Sequence, residues 1–256
     1  MGRTILNLAM EDAEIKVSGA YERAGHAAIG RDLGEFIGQG RLNVAIQPDT
    51  GKGLSAGDVL IDFTHPSATL THLKAALDSG ANLVVGTTGL SDDLIRELEK
   101  ASKKIGIVQS PNMSLGVNLL FDLVRQAASI LDDSYDAEIV EVHHRHKKDA
   151  PSGTALELLR QIAEARKIAL ESKVVFGRKG ETGARLKGTI GVHAVRGGDV
   201  VGDHTVSFLS EGERIELVHR ASSRAAFAKG ALLASKFIAK KKSGFYNMQQ
   251  VLGLSS

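Results

Sequence analysis

Three short runs, Val59–Phe63, Asn82–Val85 and Ile105–Val108, are apolar along most of their length and show no alternation with polar residues. A strand of that kind must be buried on both faces, and a parallel sheet with helices on either side is the arrangement that buries both. Each run leads into a turn and a helix start. Thr64-His65-Pro66 precedes a helix over Ser67–Leu77 that stops at Gly80. Gly86-Thr87-Thr88-Gly89 precedes a helix capped by Ser91, with Asp92 and Asp93 in its first turn. Ser110-Pro111-Asn112 precedes a long amphipathic helix over Leu115–Leu131. Ahead of these units the spacing predicts a helix over Ile5–Ala13 and a strand over Ile15–Tyr21.

The pattern changes after Tyr135. Strands lengthen and alternate: Glu138–His143, Thr189–Val195, and a hairpin of Thr205–Leu209 with Arg214–His219 around Ser210-Glu211-Gly212-Glu213. This predicts an open sheet with a helix on one side, whose other face needs a cover, so a homo-oligomer built through this region is expected. A final helix is predicted over Ser223–Lys240. The expected domains are therefore 1–114 with 223–256, a dinucleotide-binding domain, and 115–222, a domain for substrate binding and oligomerisation.

Composition narrows the function. A formal charge of +2 on 256 residues is too mild for a nucleic-acid binder, and 28 glycines beside 4% aromatic content favour tight turns over stacking platforms. There is no cysteine for a disulfide framework, no apolar run of membrane-spanning length and no signal-peptide pattern at the start. A cytoplasmic protein without nucleic-acid or membrane partners is expected.

The chemistry concentrates in Glu141–Thr154. Here three imidazoles (His143, His144, His146) and two ammonium groups (Lys147, Lys148) lie directly ahead of Pro151-Ser152-Gly153-Thr154. Ser152 is placed as an N-cap, and Ala155, Leu156, Leu158, Leu159, Ile162 and Ala163 follow with helical spacing, so the helix starts near Gly153. Backbone N–H groups at Gly153 and Thr154, with the positive end of the dipole, suit a carboxylate or phosphate, and Gly153 permits close approach. A solvated basic loop is the plain alternative. A metal site is the other, although H-E-x-x-H spacing is missing and no metal is expected.

The parallel half suggests a dinucleotide. Glu22 closes a strand about twenty residues after Gly2, where a carboxylate would take both ribose hydroxyls, and Arg23 beside it could receive a 2′-phosphate. NADPH or NADH would then fit. The strand ends at Gly86 and Ser110 add small-residue loops on the edge of the sheet where ligands gather.

His143-His144-Arg145-His146-Lys147 followed by Asp149-Ala150-Pro151-Ser152-Gly153-Thr154-Ala155, with Val84–Gly89 upstream and Phe245-Tyr246-Asn247-Met248 downstream, resembles the dihydrodipicolinate reductase family of lysine biosynthesis. The resemblance spans essentially the whole chain. It implies an α/β fold with a Rossmann-type parallel-sheet nucleotide domain and an α+β domain whose open mixed sheet serves oligomerisation, as a homotetramer. It also implies hydride transfer from NADPH or NADH to a small cyclic dicarboxylate, 4-hydroxy-tetrahydrodipicolinate. By resemblance, His143 is a proton donor/acceptor and Lys147 the proton donor, while His144, Ser152, Gly153 and Thr154 contact substrate. Met1, Glu22, Arg23, Gly86, Thr87, Thr88, Ser110, Pro111, Asn112 and Met113 bind the cofactor.

One departure is large. The family opens with an apolar strand and a G-x-x-G-R-M-G loop, whereas Met1-Gly2-Arg3 matches only the end of that loop. Loss of a central strand would leave neighbouring strands without ladder partners. Either the start lies at an internal Met, which is the favoured account and fits the amphipathic spacing from Ile5, or the product is truncated. A truncated, cofactor-deficient chain would act only as a dicarboxylate-binding or oligomeric protein. A metal hydrolase built on His143, His144 and His146 would instead lose activity to a chelator.

Overall fold

A computed structural model describes residues 1–48 and 53–254. In chain order the first elements are α1 (Gly2–Met10), β1 (Ala20–Glu22), α2 (Leu33–Ile37), β2 (Ile46–Pro48) and β3 (Val59–Asp62). Then follow α3 (Pro66–Ser79), β4 (Asn82–Val85), α4 (Asp92–Ala101), β5 (Gly106–Gln109) and α5 (Leu115–Ile130). Next come β6 (Asp136–His143), α6 (Gly153–Arg166), α7 (Leu170–Lys173), β7 (Val174–Phe176), β8 (Ile190–Arg196), β9 (Gly202–Ser210) and β10 (Glu213–Ala221). The last three are α8 (Ala225–Ile238), β11 (Gly244–Tyr246) and α9 (Met248–Val251). They form two compact units, Met1–Ser114 with Ala225–Ser256, and Leu115–Arg224.

In the first unit four parallel strands lie in the order β11-β5-β4-β3. Both faces are covered. Leu83, Val85 and Ile107 pack against Leu73 and Ala76 of α3 and Leu98 and Ala101 of α4. Val84 and Val108 pack on the other side against Ala234 and Ile238 of α8. Ser91 caps α4 by accepting from Leu94 N, and Gly80 ends α3 in the left-handed region, as the sequence predicts.

Asn82 ties this sheet to α8. Its Nδ2 donates to the carbonyl of Ile238 at 2.8 Å, and its Oδ1 accepts from Gly106 N at 2.6 Å. Asn82→Ala would orphan a buried N–H and a helix-end carbonyl, so a loss of about 1–3 kcal/mol is expected in chemical denaturation. An unchanged midpoint would mean that water replaces the amide.

Several elements differ from expectation. The helix predicted over Ile5–Ala13 starts at Gly2 and ends at Met10, because Asp12 bonds Glu14 N in a turn and helps Glu14 hold Lys236 Nζ. The strand predicted over Ile15–Tyr21 makes a ladder only over Ala20–Glu22, where the short β2 lies beside it. That pair is a separate two-stranded parallel sheet, and among the described residues neither β1 nor β2 bonds to β3. The helix predicted over Ser223–Lys240 covers Ala225–Ile238 and is not the last, since β11 adds a strand beside β5 and α9 follows with an Asn247–Gln250 capping box.

The second unit is a mixed five-stranded sheet, β10-β9-β6-β8-β7. β6 is parallel to β8 and antiparallel to β9. Along β6 the residues facing α5 and α6 are Ala137, Ile139, Glu141 and His143, a row that turns from apolar to ionisable at its end. Phe121, Val124, Leu158, Ile162, Val206 and Phe208 complete the core around the apolar half. The opposite face is open, with Val140, Val195 and Val218 exposed by 37–47%. No helix among the described residues is long and apolar enough to cross a membrane.

Candidate active site

In the second unit the ionisable end of β6 meets the start of α6. Ser152 is the N-cap, its Oγ accepting from Ala155 N at 3.2 Å. Gly153 is exposed, and a Cβ there would meet nothing within 4 Å, so open space lies in front of the helix start. Thr154 is buried behind it. β6 ends at His143, so the following histidines belong to a loop rather than to alternating strand faces. That loop is pinned to the segment ahead of β9, with His144 N donating to the Val200 carbonyl at 2.8 Å and Arg145 N to that of Gly198 at 3.2 Å.

A carboxylate that sequence reasoning missed organises the cluster. Glu141 is fully buried (0% exposed) and receives Arg196 through both terminal nitrogens at 2.8 Å, His143 Nδ1 at 2.5 Å and Ser152 N at 3.0 Å. Burial opposes its ionisation, but these three donors outweigh burial and hold its pKa below the usual carboxylate range. The period of two along β6 was the available signal, since it puts Glu141 on the core face, where a carboxylate must be paired. Arg196 carried no local signal. It lies opposite His143 only through the β6–β8 register.

His143 is 8% exposed, and burial pushes its pKa down against the favourable pull of Glu141. His204 of β9 stands edge-on to it, ring centroids 5.1 Å apart, with Nε2 3.2 Å from Ser152 Oγ. Burial pushes His204 down to about 3, so it is neutral at neutral pH. Lys147 is half-buried, and its Nζ pairs with both carboxylate oxygens of Asp149 at 2.8 and 2.9 Å. His143, His144, Lys147, Ser152, Gly153 and Thr154 therefore lie on one strand end, one loop and one helix start of the same unit. Among the described residues no group of three or more His, Asp or Glu side chains is arranged to hold a metal.

The predicted cofactor residues lie in the first unit. Glu22 is at the end of β1, accepting from Arg23 N at 3.0 Å, and the Arg23 guanidinium is exposed. Met1 is the N-cap residue of α1 and packs by the cluster of Ile5, Ala9 and Leu232. No side chain caps this helix, so its first N–H groups have no acceptor within it, which suits a phosphate. Gly86 cannot carry a Cβ, which would lie 2.2 Å from the Phe63 ring. Thr88 is exposed, whereas Thr87 is buried and its hydroxyl turns inward, 3.1 Å from Asp62 Oδ1, while accepting from Thr64 N at 2.9 Å. Ser110 Oγ donates to the Asn112 carbonyl at 2.9 Å, Asn112 Oδ1 accepts from Ser114 N at 2.8 Å, and Pro111 is exposed. Met113 belongs to the core with Val84 and Val108, so its side chain is directed away from solvent. A carboxylate for a diol, a guanidinium and bare helix amides for phosphates, and small exposed turns for a flat ring form a donor set that fits a nicotinamide dinucleotide.

Family models described as "Dihydrodipicolinate reductase, N-terminus" and "Dihydrodipicolinate reductase, C-terminus" match residues 1–113 and 116–252. A 4-hydroxy-tetrahydrodipicolinate reductase of Ralstonia nicotianae is 48% identical over 99% of this chain and 96% of its own length. One from Syntrophus aciditrophicus is 45% identical over 100% and 96%. In fold, the chain is similar to a dipicolinate-bound dihydrodipicolinate reductase from Paenisporosarcina sp. TG-14, with a TM-score of 0.71 at 23% identity over 97% of this chain and 94% of that one. With both halves matched in order and nearly half the residues shared with full-length relatives, the chain belongs to the dihydrodipicolinate reductase family.

Proposed function

We propose that this chain reduces 4-hydroxy-tetrahydrodipicolinate to tetrahydrodipicolinate with a nicotinamide nucleotide, in the diaminopimelate route to lysine. The observation that carries the reading is the convergence of His143, Lys147 and the exposed Gly153 helix start, which pairs proton donors with a place for a carboxylate. The relatives' names point to the same substrate. When bound, the nucleotide supplies the hydride. Glu22 and Arg23 would hold its adenosine ribose or 2′-phosphate, the start of α1 at Met1 its phosphates, and Gly86–Thr88 with Ser110–Met113 its nicotinamide side. Glu22 suits NADH and Arg23 suits NADPH, so use of both is expected.

The chain's own groups handle substrate and protons. His144, Ser152, Gly153 and Thr154 hold the dicarboxylate. Loss of the 4-hydroxyl as water gives the conjugated ring, hydride addition to it leaves an electron-rich enamine, and Lys147, with His143, delivers the proton that carbon requires. Oligomerisation, as a homotetramer, would use the open face of the second unit, where Val140, Val195 and Val218 otherwise meet water.

A second reading, dicarboxylate binding without turnover, is favoured by one observation: β1 and β2 form a sheet separate from β3, so Glu22 and Gly86 stand on different sheets. Titration with NADPH and then NADH, followed by nicotinamide fluorescence with no Trp to interfere, separates the two. Micromolar or tighter binding with substrate-dependent loss of the reduced nucleotide is expected. A folded chain that binds dicarboxylate but neither nucleotide would favour the second reading.

A further inference from the structure

Three separate segments converge on one buried carboxylate. Glu141 receives Nδ1 of His143 from its own strand, the Arg196 guanidinium from β8 and the Ser152 N–H from the start of α6. We propose that Glu141 is the positioning residue of this site, fixing the His143 imidazole with its proton on Nδ1 and its lone pair on Nε2, and tying that ring to the α6 helix start.

The argument is one of donors and acceptors. An ionised carboxylate only accepts, so the nitrogen facing Glu141 has to be the protonated one, and neutral His143 keeps its lone pair on Nε2. The two-pronged bond from Arg196 keeps Glu141 ionised and fixed in orientation. Arg196 also donates to the Asp149 carbonyl at 2.7 Å, which ties in the loop that carries Lys147. On the far side of the ring, Gly202 leaves room for Nε2, since a Cβ there would lie 2.9 Å from it. Oε2 bonds the imidazole while Oε1 bonds Ser152 N, so one rigid group spans the proton carrier and the helix cap.

The charged and titratable groups facing His143 are Glu141 on its own strand, Arg196 from β8, His204 from β9 and Lys147 from the following loop. Glu141 favours the imidazolium, whereas Lys147 and Arg196 oppose it. Removing the carboxylate therefore shifts proton loss from His143 to lower pH. A purely structural counter-ion for Arg196 would predict a stability change with the tautomer left free.

The role in turnover rests on the proton-transfer reading above; the tautomer does not. Nitrogen-15 spectra of the ring in the unaltered protein, with the His143 signal assigned by its absence in His143→Gln, are expected to show the Nδ1–H form when neutral. In Glu141→Gln, kcat should fall about a hundredfold with KM for the nucleotide changed less than about twofold, and the His143 titration should move to lower pH. An Nε2–H tautomer in the unaltered protein, or a folded Glu141→Gln with normal kcat and an unmoved titration, would overturn the proposal. If Glu141→Gln does not fold, the spectrum of the unaltered protein still decides. If His143→Gln turns over normally while the tautomer is as expected, the proton-transfer reading fails and the positioning of the ring stands.

Discussion

Lys147→Ala is expected to reduce turnover at least a hundredfold while nucleotide affinity stays the same. A positioned general acid contributes about 10²–10⁴ in rate, and Lys147 precedes the Gly153 helix start and is near enough to His143 for its charge to act on the imidazole. The residues proposed to bind the nucleotide belong to the other unit, so the substitution leaves them in place. Its ammonium is paired with Asp149 and does not fill a core position, so the fold should survive its loss. The measurement is kcat beside a nucleotide titration of the same preparation. Turnover near that of the unaltered chain would remove Lys147 from its role, and a parallel loss of nucleotide binding would point to misfolding instead.

Arg196→Ala should give the largest stability change, about 3–5 kcal/mol, because it leaves Glu141 charged, buried and without its main partner. The pH dependence separates this cause from simple loss of packing. In the unaltered protein the Glu141 pKa is depressed below its ordinary value of 4.5, so its contribution is complete above that value and is lost as pH falls through the depressed one. In the variant, burial acts with only His143 and Ser152 N to oppose it, and the carboxyl pKa rises. The variant is then most destabilised at high pH, and the gap to the unaltered protein narrows as acid protonates Glu141. Guanidinium denaturation at several pH values reads both effects, and a gap independent of pH would show that the charge is not the reason.

Much of this fold was legible because its signals are local. The helix starts at Ser91 and Ser152 and the stop at Gly80 depend on the residue and its nearest neighbours on the chain, and the structure has each as read. The apolar runs at Asn82 and Ile105 are buried strands of the parallel sheet in the first unit, whereas the run at Val59 is its edge strand and is only half-buried. Where a partner decides the outcome, the sequence was less informative. Among the described residues Ile15–Gly19 has strand character but no ladder, and β11 is a three-residue strand whose ladder partner is β5. Thr87 and Met113 fall in loops expected to bind the cofactor, yet the hydroxyl of one is used by Asp62 and the side chain of the other fills the core.

The sequence by itself determined the class of the fold and the chemistry concentrated in Glu141–Thr154, because periodicity, caps and residue type act over a few positions. Only the tertiary structure decided how those groups are arranged. Glu141 and Arg196 are 55 residues apart, and what joins them is the register of two strands together with the cost of burying a charge unpaired. That cost is paid only in the folded state, so no local feature of the chain could reveal the pair.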